Sequence, residues 1–173
     1  LKTIRELYDS EVLLNEDFRI KRVERDIQDK PFTIVHIASH GQFAGKLEDT
    51  FLLTFDEKLT LDRLSDIIGQ VRYRNEPLEF LVLSACQTAD DDQAALGLAG
   101  VAIRAGARSA LATLWSINDQ ASSTLIINFY QQLRNPALSR AAALRQAQLS
   151  LLNEPRYAHP FYWSPFLLLN NWL

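Results

Sequence analysis

The chain has 173 residues, 47% of them hydrophobic and 23% charged, with six glycines and six prolines, which is the composition of an ordinary globular protein and excludes a disordered or fibrous one. A formal net charge of −3 and a pI near 5.6 give no electrostatic footprint for nucleic acid, and no basic run is long enough to hold a membrane of anionic lipid. Cys86 is the single cysteine, so an internal disulfide is excluded and a reducing compartment, the cytoplasm, is the expected location.

Residues Leu1 to Tyr8 read as the end of a helix, and "EVLLNEDF" as a short strand entering a loop. In "RIKRVERDIQDK" the residues Ile20, Val23 and Ile27 recur at helical spacing until Pro31 stops the run. "FTIVHIAS", residues 32–39, is expected to be a fully buried strand. "FLLTFDEKLT" reads as two short strands folded at Asp56 and Glu57. Thr60 is placed to cap a helix whose Leu61, Leu64, Ile67, Ile68 and Val71 fall on one stripe, closed by "NEP". "LEFLVLSA", residues 78–85, is a near-continuous apolar run of the kind found where both faces of a parallel sheet are covered.

A helix is expected from Gln93 to Ala105, with Gly106 at its C-terminal turn, and then a strand in "RSALATLW". A helix from Gln120 to Leu133 ends before Pro136, another runs from Leu138 to Leu152, and "PFLLLNN" is a closing strand. The tract "AALGLAGVAIRAGARSALATLW" has the length to cross a bilayer but carries Arg104 and Arg108 and breaks at Gly106, so it reads as helix, turn and strand. Strands alternating with helices predict an α/β sandwich with a mostly parallel sheet, in a single domain over residues 1–173. The start at Leu1, with no methionine and no leader pattern, is what an excised piece of a longer protein would show.

In an open parallel sheet, ligands collect outside the carboxyl ends of the strands. His40 stands at that end of the 32–39 strand and Cys86 at that end of the next buried strand. The segment between them is long enough for a crossover that makes the two strands neighbours, bringing both side chains to one edge. There a thiolate attacks a carbonyl and an imidazolium protonates the amine that leaves. Gly41 contributes a backbone N–H unobstructed by a side chain, which with the Cys86 N–H forms an oxyanion hole.

Plainer roles compete for the same residues. A lone cysteine at a strand end is most often a small buried hydrophobe. His36 shares a strand face with His40 but sits mid-strand, where a hydrogen-bonded core histidine is expected. His159, in the aromatic loop "AHPFYW", is assigned to packing. With no HExxH and no second cysteine, a metal site is not expected, and the absence of GxGxxG, GxxxxGK[ST] and GxSxG weighs against nucleotide binding and serine hydrolysis. No cofactor is expected. A flavodoxin-like binding domain has the same element order but needs a phosphate-holding glycine-rich turn at a strand end, which the sequence does not offer.

"SHG" after one strand and "SACQT" after the next resemble the caspase-like cysteine peptidases, in which Q-A-C-[RQG]-G follows the histidine by about 50 residues. Here the separation is 46 residues; Gln87 matches the position after the cysteine, whereas Ser84 and Thr88 depart from the caspase pattern. The sequence is more similar to the CHAT domain, a bacterial caspase-like family commonly found behind tetratricopeptide repeats. "IVHIASHGQF", "LEFLVLSACQTA", "ALGLAGVAIRAGARSALATLW" and "HPFYWSPFLL" look like its successive signature blocks, in order.

That resemblance implies a caspase-hemoglobinase fold, a three-layer sandwich with a mostly parallel sheet flanked by helices. It implies a dyad of His40 and Cys86 with Gly41 in the oxyanion role, a protein or peptide as substrate, and tetratricopeptide repeats upstream in the parent chain. It also implies that "WSINDQ" lines the pocket for the residue before the scissile bond, with Trp115, Ser116 and Asp119 as substrate-binding residues and the Asp119 charge favouring Lys or Arg. Asn118 or Asp119 has a competing role as the cap of the following helix. "QTADDDQAALG" places Asp90, Asp91 and Asp92 where many CHAT domains are glycine-rich, and acids at a helix N-terminus fit solvation and the helix dipole. Two functions of different class remain: a cysteine endopeptidase, and a catalytically silent caspase-like module that signals through attached repeats.

Overall fold

The computed structural model describes residues 2–42, 50–86, 100, 103, 106–115 and 117–171, with the backbone alone for residues 2, 85 and 86. The expected helix from Gln93 to Ala105, apart from Gly100 and Ile103, lies outside the described residues, as do the acidic run at 90–92 and Ser116. The chain divides into two units: a helical one drawn from Leu1–Leu13 and Ile117–Phe166, and a sheet unit drawn from Leu14–Ser116 and Leu167–Asn171.

The apolar runs of the sequence become the strands β1 (Ile34–Gln42), β2 (Phe51–Leu53), β3 (Lys58–Thr60), β4 (Phe80–Cys86), β5 (Ser109–Thr113) and β6 (Phe166–Asn170). They form one six-stranded sheet in the order β3-β2-β1-β4-β5-β6. β1, β4 and β5 are parallel, and β2 and β3 add an antiparallel hairpin beside β1. This is the mixed, mostly parallel α/β sheet of a caspase-like fold. The hairpin folds at the expected place: Thr54 N–H donates to the Glu57 carbonyl at 3.0 Å, and Phe51, Leu52 and Leu53 face Thr60, Leu59 and Lys58.

β4 carries the deepest burial, with Phe80, Leu81, Val82 and Leu83 each no more than 1% exposed. Successive strand residues point to opposite faces, so burial of all four means cover on both. β1 departs from the expectation of full burial. Ile37 and Gly41 are buried, Ile34, Val35, His36 and Ser39 are half-buried, and Ala38 and His40 are exposed. An apolar sequence gives a strand the capacity to be buried, but the cover must come from elsewhere in the chain, and at the carboxyl end of β1 it stops.

α2 (Ile20–Asp29) buries Ile20, Val23 and Ile27 and ends at Lys30, whose extended φ −122° and ψ 143° are what a residue before proline adopts. α3 (Leu61–Gly69) starts at Thr60, whose hydroxyl accepts from Arg63 N–H at 3.3 Å, and buries Leu61, Leu64, Ile67 and Ile68. Arg63 reaches Glu24 on α2 at 2.6 Å, and Arg74 donates to the Ile27 and Lys30 carbonyls at 2.9 and 3.1 Å and to that of Gln28, tying α3 and the turn after it to α2. Burial of Asp26 would raise its carboxyl pKa, but hydrogen bonds from Arg22 and Arg25 outweigh that and hold it below the usual carboxylate range. Gly106, at φ +116°, takes a conformation that side chains disfavour, and an added Cβ would meet Arg72 Cγ at 2.8 Å.

The helical unit holds α1 (Lys2–Leu7), α4 (Asp119–Leu133) and α5 (Arg140–Leu152), with 3₁₀ turns at Pro155–Tyr157 and Pro160–Tyr162. α5 begins two residues later than the pattern suggested because Ser139 caps it, accepting from Ala142 N–H at 3.1 Å. Tyr8 Oη donates to the Tyr130 carbonyl at 3.0 Å and its ring meets that of Tyr130 edge-on, anchoring the residue after α1 to α4.

One expected strand is missing. "EVLLNEDF" is extended at Leu14 (φ −122°, ψ 143°) but enters no ladder and runs into a 3₁₀ turn at Asn15–Asp17. Extended backbone becomes a strand only when a neighbour supplies hydrogen-bond partners, and that is a tertiary matter.

Candidate active site

β1 and β4 pair in parallel over seven residues, from Ile34↔Phe80 to His40↔Cys86. His40 and Cys86 are therefore partners at the same level of neighbouring strands, and both are the last rung of that ladder. Cys86 is the final residue of β4 rather than the first after it. His40 is exposed. Gly41, expected in the loop beyond the strand, is instead a buried strand residue opposite Leu52. β1 continues past His40 because β2 takes over as its partner on the other side, through Gly41↔Leu52 and Gln42↔Phe51.

The face that carries His40 opens towards its carboxyl end. Ile34, His36, Ala38 and His40 alternate onto one face, the first two half-buried and the last two exposed, and Ser84, the partner of Ala38, is half-buried. An imidazole at this edge is thus open to a ligand, while the one two turns of the pleat below is not. The His36 ring nitrogens are shut away from solvent, and burial pulls its pKa down to about 4, so this histidine is neutral near pH 7.

Ser39, which sequence reasoning did not single out, fastens the edge. Its Oγ donates to the Leu53 carbonyl at 2.5 Å, adding a side-chain rung where β2 ends. The signal was present as a hydroxyl directly before the His-Gly pair, but its partner could be known only after the hairpin was placed.

The remaining candidates fall in both units, Trp115 in the sheet unit and Asp119 and His159 in the helical one. Trp115 is half-buried, just beyond β5 in the sheet unit. In the helical unit the competition to cap α4 goes to Asn118, whose Oδ1 accepts from Gln120 and Ala121 N–H at 3.0 and 3.2 Å. Asp119 is left exposed in the first turn of α4, which starts one residue earlier than expected. His159 corrects its packing assignment: it is exposed, and its Nδ1 accepts from Phe161 N–H at 3.2 Å to cap the turn at Pro160–Tyr162. Among the described residues no group of three or more His, Cys, Asp or Glu is placed to hold a metal, and no helix is long and apolar enough to cross a membrane.

A mixed sheet whose parallel core ends with a histidine and a cysteine abreast defines a protein of the caspase-like α/β class. The family model for the CHAT domain matches residues 1–171, and the chain belongs to that family, whose fold is of the caspase-like cysteine peptidase type. It is also 30% identical over 98 residues to the human (Homo sapiens) protein "Tetratricopeptide repeat protein 28". That match covers 55% of this chain but spans only 4% of the relative's length.

Proposed function

We propose that this domain is a cysteine endopeptidase in which Cys86 is the nucleophile and His40 carries the proton. The observation that supports it is the pairing of His40 with Cys86 on the last rung between β1 and β4, at an edge where one face of β1 is open. The Cys86 thiolate attacks the scissile carbonyl carbon, forming a C–S bond, and the negative charge on oxygen is met on the Gly41 side by backbone N–H. As the C–N bond breaks, the His40 imidazolium gives its proton to the departing amine. Water then gives a proton to His40 and attacks the thioester; the C–S bond breaks, releasing a carboxylic acid and restoring the thiolate.

In this reading Trp115, Ser116 and Asp119 serve the residue before the cut, and the exposed Asp119 carboxylate favours Lys or Arg there. The named relative supports a parent protein in which the domain works beside tetratricopeptide repeats, and the charge and cysteine usage fit a cytoplasmic protein without nucleic-acid or membrane ligands.

Cys86→Ala and His40→Ala are each expected to lower peptide cleavage by about a thousandfold or more while circular dichroism and melting temperature stay near wild type. Full activity in either variant would remove the mechanism. Because the chain has one cysteine, a peptidyl electrophile reports on Cys86 alone. No labelling of the intact protein would favour the silent signalling module instead.

A further inference from the structure

Four adjacent strands contribute to one row. Cys86 on β4 and His40 on β1 are partners. Extending the β1–β2 register by one rung from Gly41↔Leu52 sets Leu53 beside His40, and Leu53 pairs in turn with Lys58 of β3. The Ser39 Oγ bond to the Leu53 carbonyl, at 2.5 Å, holds that extra rung. With strands about 4.8 Å apart, the row spans roughly 14 Å, the length of about four extended residues.

Partners across a ladder project onto the same face, and so do residues two apart in one strand. Leu53, Lys58 and Phe51 therefore share the face of His40. Leu53 is 42% exposed, and Lys58 is also exposed, with its Nζ 4.1 Å from the centre of the Phe51 ring. A bare leucine beside an aromatic ring and an exposed histidine is apolar surface without cover, whereas Leu52 and Leu59 of the same hairpin are buried.

The order of the row gives the polarity of a peptide laid across it. If sulfur takes the carbonyl carbon at β4, the nitrogen that must collect a proton lies over His40 on β1. The chain beyond the cut then continues towards β2 and β3, because returning over β4 would take the amine away from its acid. We infer that Leu53, with Phe51, receives the side chain directly after the scissile bond, and that Lys58 meets an acidic side chain two or three positions further on. The substrates are thus peptides that are apolar immediately after the cut and acidic beyond it. This rests on the peptidase reading above.

The test is a peptide library cleaved by the intact protein, randomised before the cut and varied after it, with Cys86→Ala as the blank. Leu or Phe directly after the cut is expected to raise kcat/KM about tenfold over Asn, the discrimination a small apolar site supplies. Leu53→Asn shrinks that ratio to about twofold, and Lys58→Glu turns the downstream preference from Asp and Glu to Lys and Arg, both with unchanged melting temperature. Leu53 and Lys58 are exposed, so neither variant depends on repacking a core. Cleavage that needs Cys86 but is indifferent to the residues after the cut overturns the subsite and leaves the peptidase standing. Absence of Cys86-dependent cleavage of every peptide overturns both.

Discussion

β1 and β4 are matched rung for rung and both are apolar runs in the sequence, yet they do different work. β4 is sealed from Phe80 to Leu83, whereas β1 is progressively uncovered towards Ala38 and His40 on one face. A buried strand supplies a fixed reference, and its neighbour can then hold a reactive group in the open without drifting. The comparison teaches that a site at a strand end needs one partner of each kind.

The largest effect that would break this contrast is truncation in β4. Phe80→Ala is expected to cost about 4 kcal/mol in urea unfolding, since it empties a site that is 1% exposed in a strand whose next three residues are also buried. Ala38→Ser, on the open face of β1, should cost within about 0.5 kcal/mol. Equal losses at the two positions would erase the distinction between the strands.

His36 sharpens the contrast within β1 itself, through pH. Its folded pKa is about 4 against an ordinary 6.5, so the native state keeps it neutral while the unfolded chain takes up a proton. The stability it contributes is complete above pH 6.5, falls as pH drops from 6.5 to 4, and levels off below. Over that window the loss amounts to about 3 kcal/mol. Comparing urea midpoints of wild type and His36→Leu at pH 7 and pH 4.5 isolates it from the carboxylates. An identical pH dependence in both proteins would show that the His36 ring is not buried as a neutral group.

Much of this architecture could be read from residue spacing, because the spacing is enforced by local geometry. Ile20, Val23 and Ile27 fall on one side of any helix, Thr60 precedes a helical stripe, and "TFDE" interrupts two short apolar runs, so α2, α3 and the β2–β3 hairpin follow from the chain alone. The pairing of β1 with β4 was accessible from crossover length. What spacing could not reveal depended on distant partners. β1 runs past His40 into Gln42 only because β2 is there to receive it, and "EVLLNEDF" fails to become a strand for want of such a neighbour. His159 looked like part of an aromatic cluster, but its ring nitrogen found an unpaired N–H at a turn. The Ser39 hydroxyl and the exposed Leu53 gained meaning only once β2 was laid beside β1.

The smallest expected effect lies at that junction. Ser39 donates to the Leu53 carbonyl just where the β1–β2 ladder has its last rungs, so His40 sits between a side-chain clamp below and the Gly41 pairing above. Removing the hydroxyl in Ser39→Ala should cost about 1 kcal/mol, the net worth of one hydrogen bond. The cost is local, so amide exchange at Gly41 and Gln42 should quicken about fivefold while the amides of Leu81 to Leu83, held by β4's own neighbours, keep their rates. Ser39→Thr keeps the hydroxyl on a residue suited to strands and should restore slow exchange. If exchange at 41 and 42 is indifferent to both substitutions, β1 is fixed at its carboxyl end by β4 alone, and the hairpin does not help to position His40.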